Sequence, residues 1–356
     1  MTKIVINGKF LGAGLNGVHR TAAHYATALM ERAGGHDVRL VAPKHTAPDP
    51  AFPLLVPQVV PGAFGTGQGW EAFTLPRIAR GAVLVNFCNL GPVLHRNSAV
   101  MIHDAQTYLY PRDYSGAQAL AYRALLPIIG RAARRVFTVS EFSRQSLAEH
   151  RIATRDKIDV VHNGADHILS VPADPSILQR LGVSPGSFVM TLGSRKGYKN
   201  IRRVFEAMKA LGPAAPRLIV AGGPDEAAYR DAGWTPPENT VFTGFISDGE
   251  LRACYEAARV FAFPSQTEGF GLPPIEAMFC GCPVVAASAG AMPEVCGDGA
   301  AYANPEDTEA WAREIGRLVS DDGAAANRSA RGSATARSIT WDNAGDRLWS
   351  VLEPLL

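Results

Sequence analysis

Residues 259–289 read "RVFAFPSQTEGFGLPPIEAMFCGCPVVAASA", in which two short apolar runs flank a glycine- and proline-rich loop and a helical pattern. The runs 259–265 and 283–289 are almost continuously apolar, which is typical of parallel strands covered on both faces. Pro273 and Pro274 favour the start of a helix between them. The stretch therefore predicts a strand–loop–helix–strand unit of an α/β fold.

The same alternation recurs along the whole chain. Further strands are predicted in "KIVIN" (3–7), "DVRLVAP" (37–43), "AVLVNF" (82–87), "SAVMIHD" (98–104), "RVFTVS" (135–140), "KIDVVHN" (157–163), "SFVMTLG" (187–193), "RLIVAGG" (217–223) and "NTVFTGF" (239–245). The regular pattern fades in residues 165–187, where prolines and turn residues cluster. Two such series predict two doubly wound parallel-sheet domains, with ligands beyond the carboxyl ends of their strands.

The overall composition is that of a globular protein and excludes several function classes. The 356 residues are 47% apolar and 19% charged, and the formal charge of +2 gives no strong field for nucleic acid. No apolar run reaches the ~20 residues that span a bilayer, and the first residues lack a signal-peptide pattern. The five cysteines show no Cys-x-x-Cys pair, so we expect reduced thiols, no metal site and a cytoplasmic location.

A glycine loop near the start imitates a dinucleotide fingerprint. In "FLGAGLNGVHR" (10–20), Gly12, Gly14 and Gly17 spell Gly-x-Gly-x-x-Gly. The first glycine does not follow the strand directly, and Asp37 begins the next strand instead of ending it, so NAD binding is not expected. Two interpretations stay open: backbone N–H groups for an anionic or sugar-like ligand, or a surface turn.

Cationic and acidic residues follow two strands of the second series. In "GSRKGYKNI" (193–201), Arg195 and Lys199 stand before a helix and suit a diphosphate, although a charged surface loop is the alternative. Glu268 and Glu276 are separated by seven residues. We expect Glu276 in the first helical turn, where its carboxylate accepts both hydroxyls of a ribose, and Glu268 on the preceding loop near sugar hydroxyls. Alternatively, Glu276 complements the helix dipole and Glu268 is solvated.

This Glu-x7-Glu stretch resembles the family 4 retaining glycosyltransferases of the GT-B fold (glycosyl transferases group 1). The similarity extends to "CGCPVVAASAGAMPEVCGDGAAYANPED" (280–307), "TVSEFSRQ" (138–145), "VVHNGAD" (160–166) and "VFTGFISDGELRACYEAARVFAFPS" (241–265). It implies two Rossmann-like doubly wound parallel-sheet domains facing a central cleft. It also implies an acceptor-binding domain at 1–168, a donor-binding domain at 169–340, and a last helix at 341–356 that crosses back to the first domain.

The resemblance also implies roles for individual residues. The residues with implied catalytic roles are Glu268, His103, Arg195 and Lys199. The residues with implied donor-binding roles are Gly14, Gly17, Arg195, Lys199, Gly244, Ile246, Glu268, Gly269, Phe270, Gly271, Leu272 and Glu276. Asp104 and Tyr108 are expected to bind the acceptor. The first domain matches less closely, since its loop reads "LNGVHR" with His19 where the family has a small residue.

The implied reaction transfers a hexosyl unit from a nucleotide diphosphate sugar, GDP-mannose or a UDP-sugar, to a hydroxyl with retained anomeric configuration. The acceptor would be a saccharide or lipid-linked saccharide in cell-surface polysaccharide assembly. The sequence contains no Asp-x-Asp pair, so a metal-independent reaction without cofactor is expected. Glu268 as a covalent nucleophile, a nucleotide-sugar epimerase and a binding-only relative are the alternatives.

One segment suggests contact with a membrane surface. Residues 122–135 combine Arg123, Arg131, Arg134 and Arg135 with four large apolar side chains. Such a basic amphipathic helix can lie on an anionic membrane, giving a peripheral location, while a helix facing the protein core explains the same pattern.

Overall fold

The computed structural model describes residues 3–13, 17–93 and 95–356. Within these ranges, the strands are β1 (Lys3–Asn7), β2 (Asp37–Ala42), β3 (Gln58–Val59), β4 (Ala82–Asn86), β5 (Ser98–Met101), β6 (Arg135–Thr138), β7 (Ile158–Val160), β8 (Phe188–Leu192), β9 (Arg217–Ala221), β10 (Thr240–Phe242), β11 (Val260–Phe263), β12 (Val284–Ala287) and β13 (Ala300–Ala303).

The α-helices of the same ranges alternate with these strands. They are α1 (Gly17–Arg32), α2 (Leu75–Ile78), α3 (Gln106–Leu109), α4 (Gly116–Ala132), α5 (Glu141–Glu149), α6 (Ser176–Leu181), α7 (Ile201–Ala210), α8 (Glu226–Asp231), α9 (Asp248–Ala257), α10 (Leu272–Phe279), α11 (Met292–Cys296), α12 (Thr308–Ser320), α13 (Asp322–Ala336) and α14 (Trp341–Leu352).

Every predicted strand run contains an observed strand, and two strands were missed. β4, β11 and β12 are buried along their whole length, as expected for strands covered on both faces. The missed β3 has only two residues, both exposed. The missed β13 reads "AAYA", and alanine has little preference for strands.

The chain forms two compact units. Unit 1 comprises Met1–Asn163 and Trp341–Leu356, and unit 2 comprises Gly164–Thr340. In the described residues of unit 1 the strand order is β3-β2-β1-β4-β5-β6-β7, and in unit 2 it is β10-β9-β8-β11-β12-β13. All neighbouring strands pair in parallel. Both units therefore have the doubly wound Rossmann-like topology, and the functional domain limits 1–168 and 169–340 stay a prediction.

In each sheet the chain starts in the middle and reverses its direction of winding once. The reversal lies between β1 and β4 in unit 1 and between β8 and β11 in unit 2. The loops that follow such a strand pair turn to opposite faces of the sheet and leave a crevice beyond the strand ends, where ligands bind in this topology. Functional side chains are therefore expected at these two places.

Helix α14 belongs to unit 1 and packs against α1. The guanidinium of Arg32 in α1 pairs with Asp342 and, at 2.8 Å, with Asp346. The ring of Trp341 stacks on His24 at 4.4 Å between centroids. The last helix thus packs on the first helix and completes unit 1.

The segment predicted as one basic amphipathic helix, residues 122–135, is not a single helix. α4 ends at Ala132, and Arg135 is the first residue of β6. Within α4, Leu126 and Ile129 are buried in the core, while Ile128 is half exposed. The interpretation as a helix that faces the protein core is confirmed for Leu126 and Ile129, and contact with a membrane surface stays a prediction.

Among the described residues, no helix is both long and apolar enough to cross a membrane.

Candidate active site

The crevice of unit 2 lies beyond the carboxyl ends of β8 and β11 and is formed by loops 193–200 and 264–271. A Cβ added to Gly193, the first residue after β8, would lie 2.2 Å from the carbonyl oxygen of Gly222. A side chain is therefore excluded there, and the loop leaves the sheet in close contact with the neighbouring loop. It then forms a short 3₁₀ turn, Gly197–Lys199, directly before α7.

The two loops meet in an ion pair. The ammonium Nζ of Lys199 lies 2.7 Å from Oε1 of Glu268, and the side chains are 30% and 14% exposed. The ammonium also lies 5.4 Å and 5.8 Å from the ring centroids of Tyr198 and Phe263, within the range of cation–π attraction. The structure thus brings two predicted site residues, one cation and one carboxylate, together across the β8/β11 crevice.

The backbone of Glu268 is fixed from the loop after β12. Its carbonyl oxygen accepts a hydrogen bond from the amide of Ala291 at 3.3 Å. A Cβ on Gly290, whose φ is +60°, would lie 2.9 Å from the Glu268 nitrogen. Glycine permits both the positive φ and the close approach, so the third loop holds Glu268 in place.

Glu276 lies in the second turn of α10, and the expectation of a first-turn position was wrong. The helix begins at Leu272, directly after Gly271 with φ +89°, and no acidic residue stands in its first turn. Pro273 and Pro274 are its second and third residues rather than its start. Prolines are tolerated there because first-turn N–H groups have no partner within the helix.

The carboxylate of Glu276 is buried and held by two side chains that the sequence interpretation missed. Nε2 of His167 lies 3.2 Å from Oε1, and the Tyr255 hydroxyl donates to Oε2 at 3.5 Å. Burial raises the pKa of Tyr255 well above its ordinary value, so the phenol keeps its proton. His167 directly follows the "NGAD" motif, and this position was the available signal. A carboxylate has about four lone-pair sites, so two contacts leave capacity for a diol.

The other predicted donor-binding residues that belong to unit 2 lie at the same end of its sheet. Gly269 and Phe270 are buried in the loop before α10. Gly244 has a φ of +63° in the loop after β10. Ile246 is partly buried, and Phe245 between them is 93% exposed. Arg195 is exposed in the loop after β8.

His103 lies in unit 1, at the end of β5, and is 7% exposed. Its Nε2 lies 2.8 Å from the carbonyl oxygen of Phe87, and its amide donates to Oδ1 of Asn89. Burial lowers the pKa of His103 to about 4, against the weaker opposing effect of the Phe87 carbonyl. The imidazole is therefore neutral at pH 7, with Nε2–H donating to Phe87.

The other predicted residues of unit 1 are less clearly arranged as a site. Oδ1 of Asp104 accepts the Gln106 amide at 2.9 Å. The Tyr108 hydroxyl donates to the Arg123 carbonyl at 2.9 Å, and the Arg123 guanidinium lies 5.6 Å from the ring centroid. Gly17 begins α1, and Gly14 lies outside the described residues. Acceptor binding by Asp104 and Tyr108 stays a prediction.

Two family models match the chain. One, described as Glycosyltransferase Family 4, matches residues 15–168, and one described as Glycosyl transferases group 1 matches residues 187–321. Together they cover most of the chain. The chain belongs to the group 1 and family 4 glycosyltransferases. The β8/β11 crevice with Lys199, Glu268 and Glu276 lies within the group 1 domain.

Individual relatives are similar over part of their length. O-antigen chain mannosyltransferase B of Escherichia coli is 33% identical over 229 residues, which are 60% of this chain and 58% of the relative. O-antigen chain mannosyltransferase RfbU of Salmonella typhimurium is 29% identical over 62% of this chain and 61% of its own length. A D-inositol 3-phosphate glycosyltransferase of Mycobacterium marinum is 31% identical over 62% and 50%. The chain thus spans about three fifths of the first two relatives.

Solved structures share the fold over the full chain. HepE of Anabaena in complex with UDP and glucose has a TM-score of 0.75 at 20% identity, covering 99% of this chain and 100% of its own. The lipopolysaccharide glycosyltransferase WaaG has a TM-score of 0.69 at 14% identity, covering 99% of both chains. These similarities assign the glycosyltransferase chain to the GT-B fold.

Proposed function

We propose that the protein transfers a hexosyl unit from a nucleotide diphosphate sugar to a hydroxyl of a saccharide or lipid-linked saccharide, with retained anomeric configuration. The observation that carries this proposal is the Lys199–Glu268 contact across the β8/β11 crevice of a group 1 glycosyltransferase domain. One side of this contact suits a diphosphate and the other suits sugar hydroxyls.

The donor would be bound by groups of three loops and one helix. The buried carboxylate of Glu276, oriented by His167, would accept the ribose hydroxyls. Lys199 and the exposed Arg195 would pair with the diphosphate. Glu268 would accept hydroxyls of the hexose, and the loop of Gly244 and Ile246 would contact the base.

The chemical step follows from this placement. The bond between the anomeric carbon and the diphosphate oxygen breaks, and the acceptor oxygen bonds to the same face of that carbon. The acceptor's proton passes to an oxygen of the departing diphosphate. Lys199 and Arg195 stabilise the negative charge that develops on the leaving group, which is the part that a divalent metal plays in other enzymes. We propose that these cations suffice and that no metal or cofactor takes part.

The relatives favour particular substrates. Two of them are O-antigen chain mannosyltransferases, which supports a mannosyl donor, GDP-mannose, and an acceptor in cell-surface polysaccharide assembly. HepE binds UDP-glucose, which keeps a UDP-sugar as the second donor class. A neutral His103 would contact the hexose as a hydrogen-bonding group rather than as an acid.

Turnover with defined donors tests the proposal. The protein would be mixed with GDP-mannose or UDP-glucose and a panel of methyl glycosides, and nucleotide release and products would be followed by proton NMR. We expect a product with the anomeric configuration of the donor. An inverted product would contradict the proposed mechanism, and release from neither donor would contradict the proposed substrates.

A further inference from the structure

Unit 1 has a cavity at its own winding reversal, beyond the ends of β1 and β4. Its volume is about 170 Å³, and Lys9, Phe10, Glu71, Phe87 and Tyr122 are among the side chains that line it. Asp104 and Tyr108, the predicted acceptor residues, do not line it. The cavity therefore lies where ligands bind in this topology but is formed by residues with no assigned role.

A buried polar network forms one wall. Glu71 is 6% exposed, and its carboxylate accepts a hydrogen bond from Nδ2 of Asn7 at 2.7 Å and pairs with the Lys9 ammonium. Nδ2 of Asn7 also donates to Oδ1 of Asn86 at 3.0 Å. Glu71 lies in a π-helical turn, Trp70–Thr74, a rare conformation that is often found at functional sites.

The charges of this wall cancel. One ammonium and one carboxylate face the cavity as a pair, so an anion gains attraction from Lys9 and repulsion from Glu71. A neutral ligand that carries hydroxyls satisfies both, because a hydroxyl donates to a carboxylate and accepts from an ammonium. The Lys9–Glu71 pair therefore favours a polyhydroxylated, uncharged molecule.

Apolar and aromatic side chains also line the cavity. Phe10 and Phe87 are 4% and 1% exposed, and the half-buried Tyr122 lies beside them in the lining. Burial raises the pKa of Tyr122, so its hydroxyl stays protonated and can donate. A sugar ring presents C–H groups on its faces and hydroxyls at its edge, which matches a lining that contains both apolar and polar side chains.

The volume sets the size of the ligand. About 170 Å³ is below the ~300–1,000 Å³ of pockets for drug-sized ligands, and it corresponds to about six water molecules at ~30 Å³ each. The cavity is thus sized for a group about as large as one sugar ring.

We propose that this cavity binds one neutral sugar ring of the acceptor, with Glu71 accepting from ring hydroxyls and Lys9 donating to a ring or hydroxyl oxygen. The inference rests on the proposed glycosyltransferase function and names the part of the acceptor that unit 1 recognises. Lys9 and Glu71 are specificity-determining residues in this proposal.

The test of this proposal compares the full chain with its Glu71→Gln and Lys9→Met variants and with a Lys3→Met control. Lys3 is exposed in β1 and does not line the cavity. Saturation-transfer NMR would use methyl α-D-mannopyranoside and methyl β-D-glucopyranoside as probes, and calorimetry would measure GDP-mannose and UDP-glucose separately. Glu71 is buried, so its substitution can impair folding. Lys9 is more exposed, so Lys9→Met tests the proposal independently of the Glu71 variant.

We expect saturation of at least one probe by the wild type and by Lys3→Met, and at least tenfold weaker probe binding in both cavity variants. Nucleotide-sugar affinity should stay within twofold, which separates this proposal from the proposed donor site. Unchanged probe binding in Lys9→Met, no saturation of either probe, or parallel loss of probe and donor affinity with a lower Tm would overturn it.

Discussion

At the scale of single residues, each unit has a buried candidate residue that is held by its neighbours. His103 is held neutral because burial lowers its pKa to about 4 from 6.5. Glu276 is held by His167 and Tyr255. Both features come from contacts between residues that are distant in the chain, and the sequence signalled only His167, by its position after the "NGAD" motif.

His103 makes stability depend on acid pH. Between pH 6.5 and about 4 the unfolded chain binds a proton that folded His103 does not, so this stability is present above pH 6.5 and is lost as the pH falls toward 4. The loss amounts to about 3 kcal/mol at pH 4, on the order of 1.4 kcal/mol per pKa unit.

The measurement is the free energy of unfolding from pH 7 to 4 for the wild type and His103→Gln. The variant should show a shallower decline over this window. Equal slopes would show that His103 is protonated in the folded state.

Removing the imidazole of His167 should weaken donor binding. His167→Ala takes one hydrogen bond from the Glu276 carboxylate, worth about 1 kcal/mol, so the Kd for the nucleotide sugar should rise about fivefold to tenfold. Tyr255→Phe should have a smaller effect, because its contact is 3.5 Å long. Calorimetry on both variants checks this order, and a larger effect from Tyr255→Phe would contradict it.

At the scale of elements, loops after strands carry the site, and glycines allow them to approach each other. The sequence predicted the alternation of strands and helices and the loops that hold Lys199 and Glu268. It did not predict β13, because its alanines are more typical of helices than of strands. It also did not predict the first residue of α10, because either side of the two prolines could begin a helix. Local patterns identified most strands, but tertiary contacts determine where an element begins and whether an alanine-rich segment forms a strand.

The close approach at Gly193 predicts a strong effect of one methyl group. Gly193→Ala places a Cβ 2.2 Å from a backbone oxygen, so the loop that carries Lys199 must move. We expect a loss of about 1–3 kcal/mol in the free energy of unfolding and weaker donor binding. Gly35→Ala, where no atom lies within 4 Å, is the matched control. Denaturant unfolding of both variants measures the difference, and similar stabilities would be inconsistent with the contact.

At the scale of the whole molecule, two units repeat one topology, and the last helix belongs to the first unit. Gly345 of α14 contacts α1 so closely that a Cβ there would lie 2.6 Å from Cζ of Arg32. The sequence predicted two doubly wound sheets from their apolar runs. It indicated that α14 packs on unit 1 only through the family resemblance. The contacts that hold α14 there, the Arg32 pairs with Asp342 and Asp346, join the two ends of the chain, and local patterns do not reveal such contacts.

The Arg32 pairs predict local protection from hydrogen exchange. Arg32→Ala removes both ion pairs, so amides of α1 and α14 should exchange faster, while those of unit 2 should not change. Hydrogen-exchange mass spectrometry measures both regions in one experiment. Equal acceleration in unit 2 would show that the ion pairs stabilise the whole chain rather than unit 1.

The most direct test of the central claim is calorimetric titration of GDP-mannose and UDP-glucose into the wild type, Lys199→Ala and Lys209→Ala. Lys209 is an exposed lysine at the end of α7 and controls for the loss of one positive charge. A charge-assisted hydrogen bond is worth about 1.5–3 kcal/mol, so Lys199→Ala should bind at least tenfold more weakly, while Lys209→Ala should bind like the wild type. Equal affinity in Lys199→Ala and the wild type, or binding of neither nucleotide sugar, would contradict a donor site at the β8/β11 crevice.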